Sequence, residues 1–322
     1  MAQAIDARLR GVALGLAIAG FAGAAPAAGP ASGAGPAEFS LELAAGSERS
    51  NNPDAFIDDF DVLRPNGRRI ARESTFTNLL ALAELEWPRG EAGAWLFNAE
   101  AELHQSHRVP DFNRRNLALQ AGSVLEAAGG ELELSVLTQQ LVLGDEFLRR
   151  RSSGLRGAFS AGDEIMRHRT SLEWLRDRYD SDNDLYDADR LQLRHRRRQI
   201  LAQRWKPVLQ LEGGLALERN RWHFEDLSSR EVRLGLGLDL HPRDAVEISL
   251  RATRRRSRFG APTPDEDHRR TDYRTDLSLG ASVTLSPRYT VGCESSRSRR
   301  SSNDPLAKAS LNRFDCTLTI DL

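Results

Sequence analysis

The stretch "NRFDCTLTIDL", residues 312–322, decides the fold. Phe314, Cys316, Leu318, Ile320 and Leu322 fall on one parity, and Arg313, Asp315, Thr317, Thr319 and Asp321 on the other. A two-residue period of this kind marks a strand with one apolar and one polar face. The alternation runs to Leu322, so this strand is expected to be paired inside a larger sheet rather than frayed.

The same alternation recurs upstream. "YRTDLSLGASVTLSP" sets Tyr273, Leu277, Leu279, Ala281 and Val283 against Arg274, Asp276, Ser278 and Ser282, and "REVRLGLGLDLH" sets Val232, Leu234, Leu236, Leu238 and Leu240 against Arg233 and Asp239. "TFTNLLALAELEW", "GAWLFNAEAEL" and "VLQLEGGLALE" repeat it, and it weakens where arginines crowd both parities, around 147–158 and 187–200. Strands are expected at 37–45, 73–87, 92–105, 113–126, 130–143, 147–160, 164–178, 187–203, 207–219, 229–241, 244–257, 270–286, 289–298 and 308–322. That is about fourteen, an even number, as single-chain outer-membrane barrels prefer.

The connections alternate in length. "PRGEA", "AAGG", "SAGDE", "RWKP", "HPRDA" and "SPR" are short, whereas residues 46–73 and stretches such as "RDRYDSDNDLYDA", "RNRWHFEDLSS" and "SRFGAPTPDEDHRR" are long. Short periplasmic turns and longer outer loops are what a transmembrane barrel needs. In hydrocarbon every backbone N–H and C=O must pair, so the last strand has to close on the first. About ten residues at ~3.3 Å each, tilted by ~40°, cover an apolar band of ~25 Å, and the segments reach that length. Trp87, Trp95 and Trp205 fall at the inner strand ends and Trp174 and Trp222 toward the outer ends, as aromatic girdles at headgroup level do. The expectation is an all-β, antiparallel up-and-down transmembrane β-barrel over residues 36–322, in a Gram-negative outer membrane, with membrane lipid as its outer solvent.

Residues 1–35 differ: two arginines, the apolar run "GVALGLAIAGFAGAA" and then small residues with A-x-A sites read as a cleaved secretory signal peptide and linker. Export places Cys293 and Cys316 in an oxidising compartment. Lys+Arg 45 against Asp+Glu 46 gives no net pull toward nucleic acid, and with only Lys206 and Lys308 as lysines the arginine runs are read as a compositional bias. No nucleic-acid partner is expected.

The closing region, residues 285–322, resembles the last hairpin of bacterial outer-membrane barrels, including the terminal alternation read by the barrel-assembly machinery, here ending in Leu322. The strand count and the "SSNDP" loop resemble the barrel half of surface lipoprotein assembly modifiers and of exopolysaccharide-export porins. The resemblance implies the assembly machinery as a partner, and a secreted lipoprotein or polysaccharide as a further one.

Site chemistry is sparse. The histidines of "HQSH", His104 and His107, form too small a set to define a metal site, and no G-x-S-x-G nucleophile motif is present. Asp180, Asp182 and Asp184 have the spacing of a calcium loop, but Leu185 stands where its glycine belongs and Leu191 where its glutamate belongs, so a solvated acidic loop is expected. No cofactor, metal or catalytic residue is assigned. The face opposite the apolar one carries Glu84, Glu86, Glu100, Glu102, Glu131 and Glu133 on early strands and Arg233, Arg251, Arg274 and Arg313 on later ones. These are the expected lumen residues. Opposed arcs would set a transverse field across a pore, or the side chains would pair and fill the interior. The expected function is therefore a non-enzymatic porin-like or export channel, with an assembly or display factor for a secreted partner as the alternative and a barrel hydrolase third.

Symmetry of the last hairpin about Asp304 and Pro305 sets Tyr289 opposite Ile320, Val291 opposite Leu318 and Cys293 opposite Cys316. Directly opposed Cα atoms, about 4.5–5.5 Å apart, are within disulfide reach, so a lipid-side disulfide or facing thiol pair is expected unless a bulge shifts the register.

Overall fold

The computed structural model describes residues 37–50, 74–89, 93–107, 113–127, 129–144, 148–201, 205–262, 267–304 and 307–322. The signal-peptide reading and most of the first outer loop lie outside them. Within them run β1 (Glu38–Ser50), β2 (Ser74–Pro88), β3 (Gly93–Ser106), β4 (Arg114–Ala127), β5 (Gly130–Leu143), β6 (Leu148–Gly162), β7 (Met166–Tyr179), β8 (Ala188–Ile200), β9 (Val208–Asn220), β10 (Ser229–Arg243), β11 (Val246–Pro262), β12 (Arg269–Ser286), β13 (Tyr289–Ser302) and β14 (Ala309–Asp321). All pair antiparallel with their sequence neighbours, and β14 pairs with β1 to close a fourteen-stranded barrel. No helix among the described residues is long and apolar enough to cross a membrane.

Closure explains the pattern at the C-terminus. Ile320 faces Leu43 and Leu318 faces Ala45 across the seam, and the Leu322 amide donates to the Leu41 carbonyl at 2.9 Å. The sheet therefore has no free edge, as lipid requires. Outward positions are the exposed large apolar residues, among them Leu134, Val136, Leu172, Leu215, Leu234, Leu236, Leu277 and Leu279. A soluble protein would bury such a belt; in a bilayer the hydrocarbon is its solvent.

Strand positions agree with the sequence to a few residues, with the main differences at outer ends. β1 continues to Ser50, β11 to Pro262 and β13 to Ser302. Ser47, Arg49, Arg256, Arg258, Arg297 and Arg299 stand there on the outward parity, so the apolar signal ends before the ladder does. Pairing carries these extensions: Arg49 still faces Thr75, and Arg299 still faces Thr275. One outer connection is short. β5 and β6 are joined across Gly144, at φ 62°, whose amide is bonded to the Asn113 carbonyl at 2.8 Å. Among the inner turns, Gly162 sits at φ 121° with a Cβ position only 2.0 Å from the Met166 carbonyl, so only glycine fits this turn.

The termini share the side of the short turns, which fixes the topology to be tested. Loop 177–189 and loop 259–270 should label from outside intact cells, and a tag at Asp244, in the β10–β11 turn, should not. Equal surface labelling at Asp184 and Asp244 would overturn this orientation.

Candidate functional site

The register assigns every strand residue to the lipid or to the lumen. Glu84, Glu86, Glu100, Glu102, Glu131, Glu133, Arg233, Arg251, Arg274 and Arg313 all occupy inward positions, joined through ladder pairs such as Leu82 with Glu100 and Arg255 with Arg274. Glu84 and Glu86 lie exposed near the inner mouth, where Glu38 faces Glu86 and Glu126 faces Glu131. Glu100 accepts a hydrogen bond from Asn116 at 3.4 Å, and Glu102 is ion-paired with Arg114. Glu131 and Glu133 reach across to Arg167 and Arg169 on β7, the former pair at 2.6 Å. Carboxylates thus dominate the inner half of the wall over β1 to β5.

Arg251 is held by Asp239 at 2.5 Å, and Arg313 lies 3.9 Å from Glu48 and 3.8 Å from Asp315. These two arginines are locally balanced by inward carboxylates on their own or neighbouring strands. The uncounted basic surface is on β6 to β8, where Arg150, Arg156, Arg167, Arg169, Arg190 and Arg194 all point inward. Sequence parity did not reveal them because β6 to β8 carry arginine on both faces.

Register adds an arrangement that no single strand displays. Arg194 of β8 faces Gly214, Gly214 faces Arg233, and Arg233 faces Arg255, Arg255 faces Arg274 and Arg274 faces Arg300. Five arginines therefore follow one hydrogen-bonding row of the lumen wall from β8 to β13, about 4.8 Å apart from β10 onward. Carboxylates stand beside the row without replacing it: Arg233 is 3.1 Å from Glu212, Arg274 is 2.8 Å from Asp276, and Arg255 is 3.7 Å from that same aspartate. The row borders an internal cavity of about 380 Å³ whose wall holds eight arginines and six carboxylates. A smaller cavity of about 110 Å³, between Arg156, Arg169, Arg194, Arg196, Glu173 and Glu212, adjoins it at Arg194.

No protein-family model and no curated protein matches the sequence. Solved structures do match the fold. An anion-selective porin from Comamonas acidovorans superposes with a TM-score of 0.51 at 9% identity, covering 89% of this chain and 99% of that one. OmpT, an outer membrane protein of Vibrio cholerae, folded in vitro, gives 0.51 at 9% identity over 89% of this chain and 97% of that one. This is a β-barrel of the outer-membrane fold. The fold, together with the lipid-facing belt, places the chain in the outer membrane.

Other candidate groups of the outer-membrane barrel are occupied structurally. His104 points inward against Phe76, ring centroids 4.2 Å apart, while the Nε2 of His107 bonds Thr77 Oγ1 at 2.9 Å, so the two histidines do not converge. In the acidic loop, Asp180 accepts from Asn183 Nδ2 at 2.7 Å and Asp187 accepts from the Tyr179 amide at 2.8 Å. Those carboxylates fasten the loop to β6 and β7 instead of facing a common point. Trp87 and Trp95 are directly opposed on the lipid side, and the Arg89 guanidinium lies 5.0 Å from the Trp95 ring centroid. Trp222 belongs to the β9–β10 loop, where its indole N–H bonds the Asp184 carbonyl at 2.7 Å.

Proposed function

We propose that the barrel is a non-enzymatic channel through which small anionic solutes pass along the inward arginine row. The observation that carries this reading is the alignment of Arg194, Arg233, Arg255, Arg274 and Arg300 on one row beside a polar cavity. Guanidinium groups at this spacing let an anion exchange one partner for the next without full dehydration, which is how rings of basic side chains favour anions in pores. The flanking carboxylates keep each step shallow, because a fully unopposed arginine would hold the anion instead of releasing it. Carboxylates over β1 to β5 and the arginine row over β8 to β13 also separate charge around the wall, which orients dipolar solutes.

The test is ion selectivity in planar bilayers under a salt gradient. Wild-type barrel should prefer anions, and Arg233→Gln combined with Arg255→Gln should reduce the anion-to-cation permeability ratio several-fold. Arg254→Gln, one residue away on the outward face, should leave it unchanged. Equal effects from inward and outward substitutions, or conductance without preference, would remove the arginine row from the mechanism.

A second reading is export or assembly of a secreted partner. Absence of conductance from folded barrel would favour it, as the resemblance to lipoprotein assembly modifiers and polysaccharide-export porins does.

A further inference from the structure

The outward face is asymmetric in charge. Asp189 is the only carboxylate at an outward position of the described strands, and the Arg176 guanidinium engages it at 3.0 Å. Outward arginines, by contrast, gather in the outer half of the barrel, most densely on β11 and β13. There Arg254 faces Thr275 and Thr275 faces Arg299, which puts the two arginines on one row, two strands and about 10 Å apart. Arg256 stands one outward position above Arg254, and Arg297 one below Arg299. All four are exposed, and no carboxylate among the described residues pairs with any of them. The Tyr273 ring lies between two of them, its centroid 5.8 Å from the Arg254 guanidinium and 5.6 Å from that of Arg256.

Directly below this cluster, on the membrane side, the lipid face is hollowed. A trough of about 740 Å³ runs over β10 to β13 between Leu236, Leu238, Leu250, Leu277 and Leu279, with Ala252 and Ser295 as its small floor residues. Arg297 and Asn312 form its rim. An apolar trough ending in unpaired guanidinium groups matches a molecule with acyl chains at one end and phosphate at the other.

We propose that this face of β10 to β13 binds one phosphorylated, multiply acylated glycolipid of the outer leaflet. The inference rests on the inside-outside orientation of the barrel and is independent of what crosses the lumen. Four cations spread over about 10 Å exceed what a single phosphate can contact, so the headgroup carries more than one. Guanidinium forks give bidentate phosphate contacts that a point charge would not. Threonine and tyrosine hydroxyls between the arginines supply donors for sugar oxygens. The trough accepts an acyl chain because leucine walls and an alanine floor offer apolar area without a protruding side chain. A second copy of the chain is a poor occupant, since the outward strand surface has one carboxylate, already engaged, to meet four arginines.

Native mass spectrometry of the detergent-extracted barrel tests it, with a bisphosphorylated glycolipid, its phosphate-free form, phosphatidylglycerol and inorganic phosphate as probes. The bisphosphorylated glycolipid should bind as a single adduct, and Arg254→Gln with Arg299→Gln should weaken it about tenfold. Ala252→Trp, which fills the trough floor, should weaken it as well while leaving both arginines in place. Retention of the heat-dependent gel shift by each variant shows that the barrel still folds. The proposal fails if the arginine variant binds like wild type, or if phosphatidylglycerol or the phosphate-free lipid binds as tightly. It also fails if inorganic phosphate binds at these arginines without any effect of Ala252→Trp on the glycolipid, or if the substitutions dissociate an oligomer instead of removing lipid.

Discussion

Leu236→Arg should lower the stability of the barrel in a bilayer by about 2–4 kcal/mol, whereas Gly235→Ser should be mild. Leu236 is 52% exposed and stands midway along β10, whose outer end is Ser229 and whose inner end is Arg243. Its side chain meets hydrocarbon, and a guanidinium there must either shed water or drag a defect into the bilayer. Gly235 is one residue away on the other face. A Cβ there would lie 3.3 Å from Glu212 Cβ and 3.6 Å from Thr253 Oγ1, a polar environment that accepts a hydroxyl with a few tenths of an ångström of adjustment. The measurement is reversible unfolding in lipid vesicles. The contrast between adjacent residues is the informative quantity, because a soluble core would penalise both and a solvated sheet neither. Arg254, farther out on the same lipid face, marks where the penalty should vanish.

The difference between those two positions was legible in the sequence, since the face of a strand follows from parity alone and lipid enforces that parity more strictly than a protein core does. Where the outward residues are leucine, as on β10, strand position and face could both be read. Where they are arginine, as at Arg149, Arg151, Arg176 and Arg178, the pattern lost contrast because headgroups and lumen both accept a cation. The strands remain legible there, but the inward arginines of β6 to β8 do not stand out as a wall. The row from Arg194 to Arg300 was hidden for another reason. It crosses six strands, and its existence depends on the relative stagger of five ladders, a quantity that no local pattern contains. Asp239 and Asp315 were visible as inward residues, yet only the register shows that they balance Arg251 and Arg313. The lipid-side trough depends likewise on Ala252, Leu277 and Ser295 being neighbours across three strands.

Replacing both cysteines should cost about 3 kcal/mol. Cys293 and Cys316 form a disulfide across β13 and β14, with Cα atoms 4.1 Å apart and 23 residues of separation, on the lipid-facing parity shared with Val291 and Leu318. Tyr289 faces Ile320 and Val291 faces Leu318, so the hairpin keeps the unshifted register that brings the two sulfurs to one face. A cross-link closing a loop of this size removes about 3 kcal/mol of entropy from the unfolded chain. Its position magnifies the consequence. β14 is held to β13 on one side and closes the barrel against β1 on the other, so both of its attachments depend on its register. Once β14 leaves, the backbone groups of two strands face lipid without partners, each costing several kcal/mol. The disulfide keeps β14 in register beside the seam while it pairs with β1. Cys293→Ala with Cys316→Ala should therefore lower the unfolding free energy by about 3 kcal/mol, and a reductant should destabilise wild type by the same amount while leaving the double variant unaffected. A variant as stable as wild type would show that the seam holds β14 without the cross-link, and that the unfolded chain keeps the hairpin closed by itself.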